Sequence, residues 1–337
     1  MKTINDALIP NTFQIPARCK VFEEPTTVDE LRQALHRWRS SASLPLLIMG
    51  RGSNLLFTKD FEGHVIHPDF RGISYCQCDS EHIVVRVGAG EEWDGFVAYC
   101  VSHGWHGAEN LSLIPGDVGA AAVQNIGAYG VEVKDIILSV EVIEVATGEH
   151  RLFDKEACGY AYRQSRFKQE WHNCYVVTHV NFRLSKRFIP KLDYGNIRAE
   201  LEARHISSPT AYDIRNVVIS IRRTKLPDPM LEGNAGSFFM NPVVERSHYL
   251  LLKERYPDIP CYEVDAGHVK IPAGWLIEQC GWKGRSLGRA GVHDRQALVL
   301  VNRGGATGAE VLQLCNIVQT DVRRMFGIDI HPEVNIF

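Results

Sequence analysis

The residues from Leu113 to Gly130 combine small side chains with backbone freedom. The stretch reads LIPGDVGAAAVQNIGAYG and carries a single charge, at Asp117. Glycine permits positive φ and lets the backbone approach another group closely, while Gln124 and Asn125 add neutral donors and acceptors. The stretch therefore suits a large, partly anionic ligand that lies on the main chain. A tightly packed turn between two core elements is the alternative interpretation.

A second glycine-rich turn, Gly50 to Asn54, follows a predicted buried strand at Leu44 to Met49. A strand that runs into such a turn presents backbone N–H groups that can hold a phosphate. The turn matches neither the Walker pattern nor G-x-G-x-x-G. A plain turn between a strand and the next element therefore remains the alternative.

Three side chains are the strongest candidates for chemistry. Ser237 lies between Gly236 and two phenylalanines, where its hydroxyl could face a ligand and be shielded from water; no G-x-S-x-G elbow is present, which disfavours a hydrolase. Arg163, after Tyr162, offers a planar fork to a carboxylate, although a surface ion pair is the commoner use of arginine. Glu333 follows a proline near the C-terminus, where a solvated glutamate is the alternative.

Other polar residues suit the binding of an anion rather than a metal. Lys225, Asn241 and Tyr194 could bind phosphate oxygens. The 14 histidines include no H-E-x-x-H and no other ligand spacing, so we predict no catalytic metal.

Composition excludes several classes of protein. The 337 residues predict two or three domains. A net charge of −3, from 37 basic and 40 acidic residues, gives no electrostatic footprint for nucleic acid or for a membrane surface. No apolar run is long enough for a transmembrane helix, and the N-terminus does not resemble a signal peptide. The nine scattered cysteines indicate reduced thiols, so we expect a cytoplasmic protein.

The pattern of apolar residues predicts an α+β fold, because strands and helices alternate through residues 1–185. Residues 1–20 are expected to form a mixed leader, and Thr26 or Thr27 to cap a helix that begins near Val28. Further helices are predicted at Trp93 to Val101, at Asp213 to Thr224 with Asp213 as its cap, at Ser247 to Tyr256, at Ala273 to Cys280 and at Glu310 to Phe326. Strands are predicted at 64–68, 73–78, 83–88, 136–145, 150–153, 175–184 and 297–301. The prolines after Lys225 mark the best candidate boundary.

The order of these motifs resembles the family of UDP-N-acetylenolpyruvoylglucosamine reductases, the flavoenzymes of bacterial peptidoglycan precursor synthesis. The resemblance spans nearly the whole chain, and GSFF-x-NP together with NIGAYG is highly specific. Tyr194, in LDYGN, resembles the tyrosine of the type I loop and indicates type I. The resembling segments are Gly50–Leu56, Ile114–Val131, Tyr160–Phe167, Arg223–Pro229, Gly233–Pro242, Ala273–Cys280, Gln296–Asn302 and His331–Val334.

The resemblance implies an α+β fold of three domains. Two domains would form an FAD-binding unit of the vanillyl-alcohol-oxidase/CO-dehydrogenase-flavoprotein type, at residues 1–70 and 71–225. An inserted α+β domain at 226–327 would bind the UDP-sugar, and residues 328–337 would return to the flavin unit.

The resemblance also implies a reaction, the NADPH-dependent reduction of the enolpyruvyl sugar to UDP-N-acetylmuramate (a UDP-N-acetylmuramate dehydrogenase). Hydride would pass from flavin N5 to C3, Arg163 would stabilise charge on the substrate carboxylate, and Glu333 would assist from the other side. Ser237 would deliver the proton to C2. Residues expected to bind the substrate are Tyr162, Tyr194, Lys225, Asn241 and Gln296. FAD would be held without a covalent bond, by Gly50, Arg51, Gly52, Ser53, Asn54, Leu55, Pro115, Gly116, Gly119, Ala120, Gln124, Asn125, Gly127, Ala128, Tyr129 and Gly130. A monomer that acts on small molecules is expected.

Two departures from the family pattern concern single positions. Ala121 and Ala122 stand where the family often has a proline before QN, and Met240 replaces the lysine of GSFFKNP. The missing positive charge would weaken binding of the diphosphate or shift its neutralisation to Lys225. Two rival functions remain open. One is another FAD oxidoreductase of the same fold, and the other is a nucleotide-sugar sensor, which would need a lost catalytic group.

Overall fold

The computed structural model describes residues 1–41, 44–77 and 79–337, and it divides into two compact units. The first unit comprises residues 1–7, 18–51 and 62–224, and the second comprises 8–17, 52–61 and 225–337. The second unit therefore contains residues 328–337 together with 225–327. The finer division predicted from the sequence, into four segments, stays a prediction.

Helices and strands alternate through the described residues. The α-helices are α1 (Val28–Ser40), α2 (Trp93–Ser102), α3 (Val118–Gln124), α4 (Ile197–Ala203), α5 (Ala211–Lys225), α6 (Arg246–Arg255), α7 (Ala273–Gln279) and α8 (Gly308–Phe326). The longer strands are β1 (Lys2–Leu8), β2 (Arg18–Glu24), β5 (Phe61–Ile66), β6 (Ile73–Gln77), β7 (His82–Gly88), β10 (Ile137–Glu144), β11 (His150–Asp154) and β12 (Tyr175–Ser185). The shorter strands are β3 (Leu46–Ile48), β4 (Leu55–Leu56), β8 (Gly127–Ala128), β9 (Val131–Glu132), β13 (Gly233–Asn234), β14 (Val243–Glu245), β15 (Tyr262–Glu263), β16 (His268–Lys270), β17 (Ser286–Leu287), β18 (Ala290–Val292), β19 (Leu300–Asn302) and β20 (Asn335–Ile336).

Two sheets form the frame of the first unit. One has the strand order β1-β2-β5-β3, and the other, β11-β10-β12-β7-β6, is antiparallel throughout. Helix α2 packs on the second sheet through aromatic rings: Phe96 stacks on Phe182 of β12 at 4.7 Å, and Trp93 meets Phe182 edge-on at 6.0 Å. These rings are fully buried, so they anchor the helix that precedes the glycine-rich stretch.

The second unit has its own core and its own small sheets. Strands β13-β19-β18-β17 form one sheet, β14-β16-β15 form another, and β20 pairs with β4 in parallel. The long helix α8 buries Val311, Leu314, Val318 and Val322, which recur at helical spacing. Thr307 and Glu310 form a reciprocal capping box at its start, as expected from the residue types at this spacing.

Most of the sequence-based element predictions are confirmed, and three are wrong. The strand predicted at 297–301 begins only at Leu300, because Ala297 and Leu298 form a turn. Thr27 caps α1, as predicted, by accepting from the backbone N–H of Glu30. Asp213 is not the cap of α5, so that prediction is wrong; Thr210 caps the helix, because its hydroxyl accepts from the N–H of Asp213 while the Asp213 carboxylate accepts from the N–H of Thr210. Residues 1–20 are not a mixed leader, since β1 and the start of β2 occupy them. Cys78, the end of one predicted strand, lies outside the described residues.

Within the described residues, no helix is long and apolar enough to cross a membrane.

Truncation of Phe182 tests whether the aromatic cluster anchors α2. Phe182→Ala removes the ring that contacts both Phe96 and Trp93, and we expect it to lower the free energy of unfolding by about 3–5 kcal/mol because a cavity replaces the ring. Leu152→Ala on β11 is the matched control, because Leu152 is 60% exposed and exposed substitutions change stability by only about 0.5 kcal/mol. Urea unfolding followed by tryptophan fluorescence measures both; equal effects of the two variants would contradict the role of the cluster.

Candidate active site

The glycine-rich stretch contains a short helix and a left-handed exit. Helix α3 ends at Gln124, and Asn125 adopts φ 46° and ψ 60°, a conformation that asparagine tolerates better than most residues. Tyr129 and Gly130 also have positive φ. The chain therefore reverses twice within a few residues, and the small side chains allow this close packing.

Asn125 connects this stretch to the turn that carries Arg163. Its side-chain nitrogen donates to the carbonyl of Ala161 at 2.7 Å, and its side-chain oxygen accepts from the N–H of Lys134 at 3.2 Å. Ser165, on the other side of the turn, donates to the carbonyl of Val123 at 2.6 Å. The turn at Tyr162 and Arg163 is thus fastened to the glycine-rich stretch on both flanks.

Arg163 occupies a constrained position within that turn. Ala161 and Gln164 exchange backbone hydrogen bonds of 3.0 Å around it, and Arg163 itself has φ 56°. Its guanidinium lies 5.2 Å from the centre of the Tyr162 ring and donates to the carbonyl of Gly127 at 2.5 Å. A Cβ atom on Gly127 would lie 2.7 Å from Nη1 of Arg163. The cation is therefore held in place before any ligand binds.

The first unit fits a cofactor that lies against its backbone. The side-chain nitrogen of Gln124 is buried and, among the residues that the structure describes, has no hydrogen-bond partner. A buried unpaired donor is costly, and an acceptor on a ligand would satisfy it. A Cβ on Gly119 would lie 2.8 Å from the Cβ of Ala89, so only glycine permits this approach of α3.

The two predicted cofactor segments meet within the first unit at Asp117. Its carboxylate accepts from Nε of Arg51 at 2.5 Å and lies 3.0 Å from the position that a Cβ on Gly50 would take. Around it, Gly116 has φ 122°, and Ala120 lies 3.1 Å from the same position at Gly50. The remaining predicted residues of this segment, Pro115, Ala128, Tyr129 and Gly130, are not buried.

Residues Gly52 to Leu55 belong to the second unit. Gly52 has φ 75°, and a Cβ there would lie 2.2 Å from the carbonyl oxygen of Pro10. Ser53 is half-buried, and Leu55 begins β4. Asn54 contacts the C-terminal segment: its side chain donates to the carbonyl of Glu333 at 3.2 Å, and its carbonyl accepts from the N–H of Asn335 at 3.1 Å. Asn54 therefore positions the backbone around Glu333.

Backbone pairing in the second unit joins the two segments that carry Ser237 and Glu333, which are far apart in sequence. The N–H of Glu333 donates to the carbonyl of Phe238 at 2.8 Å, and that of Met240 donates to the carbonyl of His331 at 2.9 Å. Phe238 and Phe239 are buried, whereas Ser237 is exposed. The buried rings fix the segment, and the serine hydroxyl stays accessible.

Each of the two predicted substrate-binding amides of the second unit uses its side-chain oxygen to accept a backbone hydrogen bond. The side-chain oxygen of Asn241 accepts from the N–H of Ala273 at 2.9 Å, and that of Gln296 accepts from the N–H of Leu298 at 3.3 Å. The amide nitrogen, which suits a phosphate oxygen, is the other end of each group. Lys225 is exposed at the end of α5; Tyr194 and Tyr162, both 38% exposed, lie in the first unit with Arg163.

Sequence reasoning missed a set of charged residues that supports the start of the glycine-rich stretch. Arg215 binds Asp94 through two hydrogen bonds of 2.6 and 2.9 Å, and Asp94 accepts from the N–H of Leu113 at 2.5 Å. Burial opposes ionisation of Asp94, but the bonds from Arg215 and Leu113 hold its pKa below the usual range. Arg222 donates to the carbonyl of Leu113 at 3.2 Å. The two arginines are seven residues apart along one edge of the apolar face of α5. This spacing is the sequence signal that could have revealed them.

Arg222 is also electrostatically linked to Arg163. Burial lowers the pKa of Arg222, and the charge of Arg163 lowers it further, while Tyr129 and Asp94 act in the opposite direction. Two cations in one neighbourhood favour an anionic ligand. Among the described residues, no cluster of histidine, cysteine and carboxylate side chains could hold a metal ion.

Two family models match separate parts of the chain. Residues 19–153 match the family model "FAD binding domain", and residues 228–337 match the C-terminal domain of UDP-N-acetylenolpyruvoylglucosamine reductase. The chain is 56% identical over 325 residues to the reductase of that name from Bacteroides fragilis, covering 96% of each protein. It is 48% identical to the one from Burkholderia cenocepacia, covering 96% of this chain and 93% of the relative. The crystal structure of UDP-N-acetylenolpyruvylglucosamine reductase from Thermus caldophilus covers 100% of this chain and 98% of its own, with a TM-score of 0.68 at 23% identity.

The fold and the matched domain define a flavoprotein oxidoreductase with FAD as its cofactor, as predicted from the sequence. The chain belongs to the UDP-N-acetylenolpyruvoylglucosamine reductase family. The α+β fold class is likewise confirmed.

A single methyl group on α3 tests the close approach that the cofactor segment requires. We expect Gly119→Ala to destabilise the protein by about 1–3 kcal/mol, because the added Cβ overlaps Ala89, and to lower the flavin content of the purified protein. Gly95→Ala is the matched control, since Gly95 is exposed on α2 and its Cβ would meet nothing closer than 3.8 Å. Urea unfolding and flavin absorbance measure the two effects. A Gly119→Ala protein as stable and as yellow as Gly95→Ala would contradict the need for glycine at this position.

Proposed function

We propose that the chain reduces the enolpyruvyl group of UDP-N-acetylglucosamine enolpyruvate to UDP-N-acetylmuramate, with NADPH as the reductant. Its membership of the reductase family supports this proposal, and so does the presence of Arg163, Ser237 and Glu333 at the motif positions. The observation that supports it most is the pairing of the Phe238–Met240 backbone with the backbone of 331–333, which joins the segments that carry Ser237 and Glu333. We expect the reaction in the cytoplasm, on small soluble substrates, by a monomer.

FAD, held by the glycine-rich segments around Gly50 and Gly119, would supply the hydride that adds to C3 of the enolpyruvyl group. Negative charge then develops on the substrate carboxylate, and a cation that is already in place stabilises it without reorganisation. Arg163 suits this role because its left-handed turn, the carbonyl of Gly127 and the Tyr162 ring fix its guanidinium.

Ser237 donates the proton to C2 of the substrate. A serine hydroxyl is a weak acid, so the step requires the strongly basic carbon that hydride addition creates. Glu333 assists from the paired segment, as a protonated donor or through a hydrogen-bond network. The backbone bonds of Glu333 to Phe238 and Asn54 hold it in register with the serine segment.

The substrate diphosphate binds to groups that present N–H or O–H donors. Asn241 and Gln296 orient their amide nitrogens by engaging their oxygens, and Lys225 and Tyr194 add a cation and a phenol. Met240 leaves this set with one positive charge fewer than the family pattern has. Lys225 therefore carries more of the charge neutralisation.

Replacement of Ser237 separates the two half-reactions. We expect Ser237→Ala to reduce its flavin with NADPH at nearly the wild-type rate, and to re-oxidise it with the enolpyruvyl sugar about 10²- to 10⁴-fold more slowly, the contribution typical of a general acid. Anaerobic stopped-flow absorbance of the flavin measures both rates.

Ser247→Ala on α6 is the control, because Ser247 is also exposed in the second unit but lies outside the predicted site. Wild-type re-oxidation by the Ser237→Ala protein would assign the proton to another group. Failure of the sugar to re-oxidise the wild-type flavin would overturn the proposed function itself.

A further inference from the structure

Asp117 stands at the start of α3 but does not cap it. Its side chain makes no hydrogen bond to the N–H groups of the helix, although aspartate is a favoured N-cap residue. The carboxylate is 1% exposed and accepts from Nε of Arg51 and, at 3.0 Å, from Nε2 of His67. The Asp117 carboxylate therefore binds the side chains of Arg51 and His67 instead of capping its own helix.

His67 is held between two carboxylates. Its Nδ1 lies 3.2 Å from Oε1 of Glu24, and its Nε2 lies 3.0 Å from Oδ2 of Asp117. Ionised carboxylates only accept hydrogen bonds, so two such neighbours favour a ring that donates from both nitrogens, which is the imidazolium form. Burial opposes this charge, but the bonds to Asp117 and Glu24 outweigh it and raise the pKa of His67.

The charges alternate along a chain of contacts that ends at the cofactor segment. Lys2 pairs with Glu24 at 2.9 Å, Glu24 with His67, His67 with Asp117, and Asp117 with Arg51. The carboxylates of Glu92 and Asp69 also act on Arg51. The Arg51 side chain is 41% exposed although its Nε is fixed. The Arg51 side chain therefore remains partly accessible to an anion.

We propose that His67 is a positioning residue for FAD. Its imidazolium fixes the Asp117 carboxylate, which in turn fixes Arg51 and the adjacent Gly50 against the start of α3. The inference rests on the proposed cofactor role of these two segments. It adds a residue that lies outside both segments in the sequence and that no sequence motif identifies.

A neighbouring histidine provides an internal control. His64 on β5 is also buried, and its Nε2 lies 2.9 Å from Oε2 of Glu23. Glu23 is bound further by Arg37 and Thr3. The side chains that bind Glu23 lie outside both cofactor segments, while its backbone carbonyl accepts from the N–H of His67 at 2.9 Å. The His64–Glu23 pair is therefore a close neighbour of His67 whose own side chains are bound to other residues than Asp117.

The test is the affinity of the full-length, deflavinated chain for FAD, measured by quenching of flavin fluorescence. We expect His67→Gln to weaken binding by about tenfold or more, the factor that follows from loss of one charge-assisted hydrogen bond. His64→Gln should bind FAD within about twofold of wild type, even if both variants melt at a lower temperature. Equal losses of affinity in the two variants, or no loss in His67→Gln, would overturn the proposal.

The pH dependence gives a second readout that a purely structural role would not move. Because the pKa of His67 is raised in the folded protein, the imidazolium contact is complete at low pH and is lost as the pH rises through that pKa. Wild-type affinity for FAD should fall over that range, and His67→Gln should lack this transition.

Glu24→Gln is a second variant, to be used if His67→Gln does not fold. Glu24 is partly exposed, so its replacement should disturb folding less. Removal of this carboxylate should move the transition in FAD affinity to lower pH, and an unmoved transition would contradict the proposal. A wild-type protein that binds FAD with this pH profile but does not reduce the sugar would contradict the proposed function and leave the role of His67 intact.

Discussion

The side chain of Asn125 is the interaction on which the site in the first unit depends. It follows α3 in the left-handed conformation, and its amide reaches the carbonyl of Ala161 and the N–H of Lys134. One buried residue thus ends a helix, turns the chain and fastens the turn that carries Arg163. Because each buried polar atom must find a partner, the positions of these three segments are coupled.

In the second unit, main-chain hydrogen bonds rather than a side chain hold the predicted site segments in position. Segments 238–240 and 331–333 pair through their backbones, and Asn54 binds the C-terminal segment from its other side. The buried Phe238 and Phe239 keep this small ladder in register. Polar residues proposed to act on the substrate therefore stand on supports that are themselves buried, which is how a fold gives exposed groups a fixed geometry.

Local sequence patterns predicted many of the helices and strands. They predicted few of the long-range contacts between them. Thr27 and the apolar face of α8 were readable because caps and helical spacing are local signals. Helix α3 escaped prediction because its run of glycine and alanine has no amphipathic pattern. The pairing of Phe238 with Glu333, and the contacts among Glu24, His67, Asp117 and Arg51, join residues that are distant in sequence. No periodicity encodes such contacts. For the proposed catalytic residues, only the family resemblance indicated that they act together.

The most direct test of the account is an anaerobic titration of the wild-type flavoprotein. NADPH should bleach the yellow absorbance of the oxidised flavin. One equivalent of UDP-N-acetylglucosamine enolpyruvate should then restore it, with release of a product two hydrogen atoms heavier. This result would establish that one bound flavin connects the two substrates. A flavin that stays reduced when the enolpyruvyl sugar is added, in a protein that retains its cofactor, would contradict the account.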